Sequence, residues 1–181
     1  YVVTCYHVVN IDDKTKRDDG KTDLEWYAEH FNKKKAEIKD RLGYSITINR
    51  DVYISASSVQ QSFEVDWEVL KLSQPIQNKT PLALRSSSTV AQTEKAYAIG
   101  FPAESARMQD INTYTSDDAT ITEGSINKVT TGTNLLSNAM ADYIQTSVKM
   151  TSGNSGGPMV DENGYVIGIC EGASGDYFQD D

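Results

Sequence analysis

A serine and three glycines stand close together near the carboxyl-terminal end of the sequence, in residues 151–160, TSGNSGGPMV. A serine hydroxyl is a weak nucleophile near neutral pH, so a neighbouring base must accept its proton as it attacks a carbonyl carbon. That base needs a buried carboxylate behind it, which fixes its tautomer and stabilises its protonated form. The segment therefore indicates either a nucleophile, Ser155, or only a polar loop between two strands.

The histidines decide which hydrolase fold is compatible with Ser155. The chain has two, His7 and His30, and both precede the serine. Residues 153–157 match the pattern G-x-S-x-G of the α/β-hydrolases, but in those enzymes the histidine follows the serine along the chain. The sequence also lacks the alternating strand and helix pattern of that fold. The α/β-hydrolase class is therefore excluded.

The remaining order, His then Asp then Ser, is that of the chymotrypsin-like arrangement. His7 lies in the apolar segment VVTCYHVV, where the alternative is an ordinary core residue, whereas His30 lies among charged residues and is expected at the surface. Asp66 enters the apolar segment FEVDWEVLKL, where the alternative is a solvated residue at the start of a strand. His7, Asp66 and Ser155 are thus the candidate base, acid and nucleophile.

Five segments, these two among them, resemble the trypsin-like proteases and in particular their HtrA (DegP-like) branch. VVTCYHVV is similar to V-T-x-x-H-V-V, DWEVLKL to D-x-A-x-L-K, KAYAIGFPAE to a strand ending A-I-G-x-P, and ITEGSINKV to V-T-x-G-I-V. The fifth, YIQTSVKMTSGNSGGPMVDENGYVIGI, resembles the serine segment almost end to end. Because all five occur in the order of the family, the sequence is identified as a protease domain of this branch.

The resemblance implies a role for each of these residues. His7 is expected to be the general base, Asp66 its orienting carboxylate and Ser155 the nucleophile. The backbone N–H groups of Gly153 and Ser155 are expected to form the oxyanion hole. The implied function is a serine endopeptidase that hydrolyses peptide bonds through an acyl-enzyme. Two alternatives are a catalytically silent protease-like module that binds a partner, and a gated form that needs a partner for activity.

The resemblance also implies a substrate pocket with two walls. One wall is formed by the residues just before the nucleophile, and the other by a strand shortly after it. The expected pocket residues are Lys149, Met150, Thr151, Cys170, Glu171 and Gly172. The ammonium group of Lys149 could select an acidic substrate side chain. We favour the other interpretation, in which Lys149 faces solvent and the pocket is small and apolar.

The elements that must position these residues are mostly strands. Residues 1–9 are apolar and β-branched, as in a buried strand, and short strand-like segments follow the insert described next. Residues 11–44 read as an inserted loop and helix, with the helix at about residues 22–42 and a capping box at Thr22 and Glu25. Its apolar stripe is expected to pack on the body of the protein, and comprises Leu24, Tyr27, Phe31, Ile38 and Leu42.

The predicted fold class is all-β, a chymotrypsin-like double β-barrel with one inserted helix. A connection at residues 73–88 separates an N-terminal half, 1–78, which carries the histidine and the aspartate, from a C-terminal half, 79–181, which carries the serine. Compared with the family, the first strand of the N-terminal barrel is expected to be missing. Residues 161–164, DENG, predict a hairpin turn, because Asn-Gly tolerates the positive φ that tight hairpins require.

Composition limits the partners. The net charge of −9 argues against nucleic acid, whose phosphates need a basic face, and no apolar run is long enough to span a membrane. The expected partner is therefore a protein or peptide substrate.

Cys5 and Cys170 are either two buried thiols or one disulfide. Because the sequence has no CxxC motif and no histidine-rich cluster, neither a metal nor another cofactor is expected. The resemblance alone favours an exported or cell-envelope location, and the sequence predicts no oligomeric state.

Overall fold

The computed structural model describes residues 1–11, 16–41, 43–49, 52–102, 118–133 and 139–171. The strands in these ranges are β1 (Val2–Thr4), β2 (Tyr44–Asn49), β3 (Val52–Ser62), β4 (Trp67–Leu72), β5 (Lys95–Gly100), β6 (Thr120–Thr133), β7 (Met140–Thr146), β8 (Pro158–Asp161) and β9 (Val166–Ile169). The helices are α1 (Tyr6–Val9), α2 (Asp23–His30) and α3 (Lys35–Arg41), with a 3₁₀ turn at Ser87–Thr89. The all-β class with an inserted helical segment is confirmed.

The first sheet has the strand order β1-β4-β3-β2, and neighbouring strands are antiparallel. Side chains alternate between the two faces of a strand, and along β4 the buried ones are Glu68 and Leu70, both 0% exposed. Thr4 at the end of β1 lies opposite Glu68 near the start of β4. The residues that follow β1 are therefore brought beside the residues that precede β4.

The second sheet has the strand order β7-β6-β5-β8-β9, again with antiparallel neighbours. Its core is one cluster of buried side chains: Val90, Ala96, Ala98, Ile126, Val148, Met159, Ile167 and Cys170. The predicted hairpin turn is confirmed, since residues 161–164 join β8 to β9 and Gly164 has a φ of 80°. This hairpin directly follows the serine loop and fixes one end of it.

The connection between the sheets is anchored to the second one. Leu84 forms an isolated parallel bridge with Val166, and the Arg85 guanidinium donates to Glu94 and to the buried carboxylate of Asp161 at 2.9 and 3.0 Å. The first sheet ends at Leu72 and the second begins at Lys95. The boundary between residues 78 and 79 lies in this interval and stays a prediction.

The amino-terminal segment differs from the expected strand over residues 1–9. The strand ends at Thr4, and Tyr6–Val9 form one helical turn that carries His7. The Asn10 N–H donates to the Tyr6 carbonyl at 3.0 Å and closes this turn. The pattern of β-branched residues favours a strand locally, but the contacts of His7 with the first sheet require the chain to turn there.

The inserted helix is also shorter than expected, because it is divided into α2 and α3. Asn32 follows α2 with a φ of 49°, a left-handed conformation that a continuing α-helix does not contain. The capping box is confirmed: the Glu25 N–H donates to the Thr22 hydroxyl at 3.2 Å, and the Thr22 N–H donates to the Glu25 carboxylate at 3.1 Å. In the described ranges no helix is long and apolar enough to cross a bilayer.

The apolar stripe of the insert is only partly buried. Leu24 is 3% exposed, but Tyr27 and Phe31 are 36% and 56% exposed, so the expectation that the whole stripe packs on the body is wrong for these two. Their rings stack on each other with centroids 6.1 Å apart. The break after α2 ends the regular helical spacing, and Leu42 lies outside the described residues.

Candidate active site

The structure brings His7 and Asp66 into direct contact. His7 lies on α1, directly after β1, and Asp66 lies in the turn that precedes β4. The His7 backbone N–H donates to Asp66 Oδ1 at 2.9 Å, and the ring nitrogen Nδ1 lies 2.5 Å from Oδ2. The carboxylate therefore holds both the backbone and the ring of the histidine, which fixes the ring orientation.

Local backbone geometry makes this contact possible. The antiparallel pairing of β1 with β4 aligns the two segments, and Asp66 then adopts a φ of 52°. Aspartate is one of the few residues besides glycine that visit this left-handed region with some frequency. The turn presents the carboxylate to α1 while the next residues enter β4.

The pair has complementary electrostatics. Burial raises the pKa of Asp66, but hydrogen bonds from the ring and backbone of His7 outweigh it, so the pKa of this carboxyl lies below its ordinary 3.8. The hydrogen bond to Asp66 raises the pKa of His7 above 6.5, against the opposing effect of burial. The His7 side chain is 51% exposed and that of Asp66 only 15%. An ionised carboxylate thus supports a histidine that is accessible to a reacting group.

The serine loop lies between β7 and β8 and turns sharply. Gly153 and Gly156 have φ values of 100° and 81°, and the Gly156 N–H donates to the Cys170 carbonyl at 2.7 Å. The Ser155 hydroxyl donates to the Glu171 carbonyl at 3.2 Å, and among the described residues it makes no hydrogen bond to His7. Within the same ranges the N–H groups of Gly153 and Ser155 bond to no protein acceptor. Neither N–H group therefore has a competing acceptor among the described residues.

Close packing joins this loop to the histidine segment. A Cβ atom at Gly156 would lie 2.2 Å from Thr4 Oγ1 and 3.1 Å from the Cys5 nitrogen, so only glycine allows this approach. The Cys5 thiol also donates to the Cys170 carbonyl at 3.2 Å, which is the acceptor of the Gly156 N–H as well. The loop that carries Ser155 is thus fastened to the segment that carries His7.

The sequence model of the trypsin-like peptidase domain family matches residues 1–169. The chain belongs to this family. No curated protein matches the peptidase domain significantly.

Solved structures of HtrA-type proteases share the fold of the peptidase domain. AlgW with a decapeptide has a TM-score of 0.53 and 30% identity, covering 69% of this chain and 34% of that chain. A variant of AlgW with a tripeptide has a TM-score of 0.57 and 24% identity, covering 92% and 41%. Deg5 has a TM-score of 0.57 and 21% identity, covering 94% and 68%. The chymotrypsin-like double β-barrel and the resemblance to the HtrA branch are confirmed, and the peptidase domain spans less than half of either AlgW chain.

The predicted pocket residues of the peptidase domain have different surroundings. Lys149 is exposed, and its carbonyl accepts a hydrogen bond from the Thr122 hydroxyl at 2.9 Å. Met150 is half-buried against the core of the second sheet. The Thr151 carbonyl accepts the Asn154 N–H at 3.1 Å and so belongs to the serine loop.

The other three pocket residues follow β9. Cys170 is 3% exposed and its side chain lies in the core of the second sheet, so only its backbone reaches the serine loop. Glu171 is half-buried and bonds Ser155 through its carbonyl oxygen. Gly172 lies outside the described residues. The peptidase domain thus brings the segments around Lys149 and Glu171 to the serine loop, and their roles in binding stay predictions.

The sequence left the state of the two cysteines open and did not indicate the buried Glu68. Cys5 and Cys170 are both free thiols, and Cys5, at 0% exposure, lies beside His7 and Asp66. Glu68, also 0% exposed, accepts a short hydrogen bond from the Asn10 side chain. A glutamate where the related segment D-x-A-x-L-K has alanine was the available signal for the buried carboxylate. Cys5 stands two residues before His7, so the predicted pairing of His7 with Asp66 was the available signal for its position.

Proposed function

We propose that this peptidase domain is a serine endopeptidase in which Ser155 is the nucleophile, His7 the general base and Asp66 the carboxylate that orients the base. The observation that carries the proposal is the double contact of Asp66 with the backbone and ring of His7, on a segment packed against the serine loop. Membership of the trypsin-like peptidase family and the available N–H groups of Gly153 and Ser155 support it.

The proposed reaction starts with a rotation of the Ser155 hydroxyl from the Glu171 carbonyl to Nε2 of His7. As Oγ attacks the substrate carbonyl carbon, its proton passes to Nε2, and the N–H groups of Gly153 and Ser155 donate to the resulting oxyanion. His7 then gives the proton to the leaving amine, which departs as the acyl-enzyme forms. Water, deprotonated by His7, hydrolyses the ester and restores Ser155. Asp66 stays ionised throughout and stabilises the protonated ring.

The expected magnitudes of these contributions are those found in other enzymes. Each oxyanion donor is worth about 2.7–4 kcal/mol of barrier in enzymes where one was removed. General base catalysis contributes about 10²–10⁴-fold, and it is most effective when the pKa of the base lies near the working pH. The hydrogen bond to Asp66 raises the pKa of His7, which makes its ring a stronger base. We therefore expect Ser155 and His7 to act as one unit.

A fluorophosphonate probe, which labels activated serines covalently, tests the proposal directly. We expect the wild-type chain to be labelled and Ser155→Ala to be unlabelled. Ser152→Ala, a change at an exposed serine of the same loop, is the matched control and should be labelled like the wild type. Equal labelling of Ser155→Ala and the wild type would refute Ser155 as the nucleophile, as would absence of labelling in a wild-type chain shown to be folded and to cleave peptides.

The bond between the Ser155 hydroxyl and the Glu171 carbonyl favours a second candidate, a gated peptidase in which a ligand must first release the serine. Such a protein would be labelled slowly by the probe alone and faster after a peptide ligand is added. A catalytically silent module, the third candidate, would bind peptide without labelling under either condition. The rate of labelling with and without peptide therefore separates the three.

The proposed substrates are proteins or peptides cleaved after a small apolar residue. AlgW structures with bound peptides support a polypeptide substrate for a fold of this kind. The half-buried Met150, which packs against the core of the second sheet, supports a pocket lined by apolar groups. Lys149→Ala should then leave the ratio of kcat/KM for alanine and glutamate substrates within about twofold. A fall in glutamate cleavage of about tenfold or more would show acidic specificity instead.

A further inference from the structure

The contact between His7 and Asp66 contains a third group with its own chemistry, the thiol of Cys5. The Cys5 sulfur, one ring nitrogen of His7 and one carboxylate oxygen of Asp66 all lie within 4.8 Å of one another. Cys5 is 0% exposed, whereas half of the His7 side chain faces solvent. The three side chains thus form a small cluster in which the thiol is buried and the imidazole is accessible to solvent.

Thiolate, imidazole and carboxylate are the ligand types that zinc binds in proteins. A tetrahedral Zn²⁺ ion, with bonds of about 2.0–2.3 Å, holds its ligand atoms roughly 3.3–3.6 Å apart. Nδ1 of His7 and Oδ2 of Asp66 are 2.5 Å apart. To bind the same ion, these two atoms would have to move apart by somewhat under 1 Å. The Cys5 sulfur would approach by no more than about 1.2 Å, which a side-chain rotation can supply.

We infer that Cys5, His7 and Asp66 form a binding site for a zinc-type divalent cation, and that occupation of this site switches the peptidase off. On binding, the Cys5 thiol releases its proton to solvent and becomes a thiolate ligand. The proton on Nδ1 of His7 moves to Nε2, so that the Nδ1 lone pair binds the cation. One Asp66 oxygen is the third ligand, and water from the exposed side of the imidazole fills the fourth position.

The inhibition follows from which atoms the cation takes. It replaces the hydrogen bond between Nδ1 and Asp66, and it leaves a proton on Nε2, the atom that must accept the serine proton. This part of the inference rests on the proposed function, but the binding of the cation does not.

Cadmium is the probe for binding, because a cadmium–thiolate bond has its own ultraviolet charge-transfer absorbance. The titration uses Ser155→Ala, which keeps the three ligands but has no proposed activity. The matched control is Cys170→Ala in the same background, since Cys170 is an equally buried thiol outside the cluster. We expect one cadmium per chain in both proteins. In the double variant that combines Cys5→Ala with Ser155→Ala, we expect no charge-transfer band.

The inhibition is tested by adding zinc to proteins that keep Ser155. The rate of each variant with zinc is compared with its own rate without metal. Removal of an outer-shell partner of a metal ligand already costs about 10–100-fold in affinity, so Cys5→Ala should raise the inhibitory zinc concentration by about 100-fold or more. Cys170→Ala should leave it unchanged. A band that survives in Cys5→Ala, or no band in folded Ser155→Ala, overturns the site. Cadmium bound through Cys5 without zinc inhibition overturns the switch and leaves the proposed peptidase activity standing.

Discussion

The substitution Gly156→Ala tests whether the serine loop is positioned by close packing on the histidine segment. The added Cβ would lie 2.2 Å from Thr4 Oγ1, while ordinary contacts begin at 3.4 Å. The two atoms must therefore separate by about 1.2 Å, and Thr4 is only 8% exposed, with little free space around it. A shift of about 1 Å in a reacting group can reduce catalysis by about 10²-fold.

The expected loss of stability has two parts. Alanine in the left-handed conformation at a φ of 81° costs roughly 1–2 kcal/mol, and overpacking costs about 1–3 kcal/mol. The free energy of unfolding should fall by about 2–5 kcal/mol. With a urea dependence of about 2 kcal/mol/M, the midpoint of unfolding should fall by about 1–2.5 M.

Gly164→Ala is the matched control, because Gly164 has a φ of 80° and an added Cβ there meets no atom within 4 Å. It should cost only the conformational part, about 1–2 kcal/mol. Urea unfolding followed by fluorescence, together with probe labelling of the folded proteins, measures both variants. Thr4→Ala removes the clashing hydroxyl, so combining it with Gly156→Ala should recover about 1–3 kcal/mol relative to the sum of the single changes. Equal destabilisation by the two glycine variants, or additivity of the Thr4 and Gly156 changes, would refute the packing argument.

Three further predictions follow from the pKa of the base, the buried glutamate and the helix cap. Because the proposed base His7 would have to be neutral to accept a proton, and its pKa is raised, kcat/KM should rise with pH through an apparent pKa above 6.5. Asp66→Asn should lower that pKa and reduce kcat/KM by about 10⁴-fold, as a pH profile with a peptide substrate would show. Asn10→Ala removes a side-chain donor to the buried Glu68 carboxylate, together with the contacts of Asn10 with Tyr6 and Tyr44, and should lower the free energy of unfolding in urea by about 1–3 kcal/mol. Thr22→Ala removes the cap of α2 and should cost about 0.5–2 kcal/mol, seen as faster amide exchange in Asp23–His30.

Each of these has a control and a contradicting outcome. An acid limb at or below 6.5 in the wild type would show that Asp66 does not raise the pKa of His7 in solution. Asn127→Ala, at an exposed position, is the control and should leave the urea midpoint unchanged. If Asn10→Ala also left the midpoint unchanged, the role of the Glu68 contact in stability would be contradicted. Thr80→Ala, also exposed, should not alter amide exchange in α2, and unchanged exchange in Thr22→Ala would mean that packing rather than capping holds that helix.

The features predictable from the sequence are those set by nearby residues. The capping box depends on Thr22 and Glu25, three positions apart, and the turn before β9 depends on the Asn-Gly pair, so local chemistry was sufficient. Most strands after the insert follow from β-branched and aromatic residues at strand length, although β8 was not predicted. The order of His7, Asp66 and Ser155 indicated one fold, and the structure does bring His7 and Asp66 together.

The remaining features depend on contacts between distant segments. The helical turn at His7 forms against Asp66, 59 residues away, and overrides a sequence typical of a strand. The break at Asn32 depends on a single left-handed residue inside a favourable helical pattern. The Ser155 bond to Glu171 and the burial of Glu68 are likewise decided by which backbone segments meet. The turn at His7 and the Ser155 contact leave no mark within a short window of sequence, whereas Glu68 stands where the related segment has alanine.

The division of the proposed catalytic groups between the two sheets has a consequence for biosynthesis. His7 and Asp66 emerge from the ribosome long before Ser155, and in the folded chain the Cys170 carbonyl, which follows β9, joins Gly156 of the serine loop to Cys5. A growing chain that still lacks Ser155 would then contain the proposed base without the proposed nucleophile and would cleave nothing. The peptidase would become active only on completing its own fold, which protects its synthesis from self-digestion.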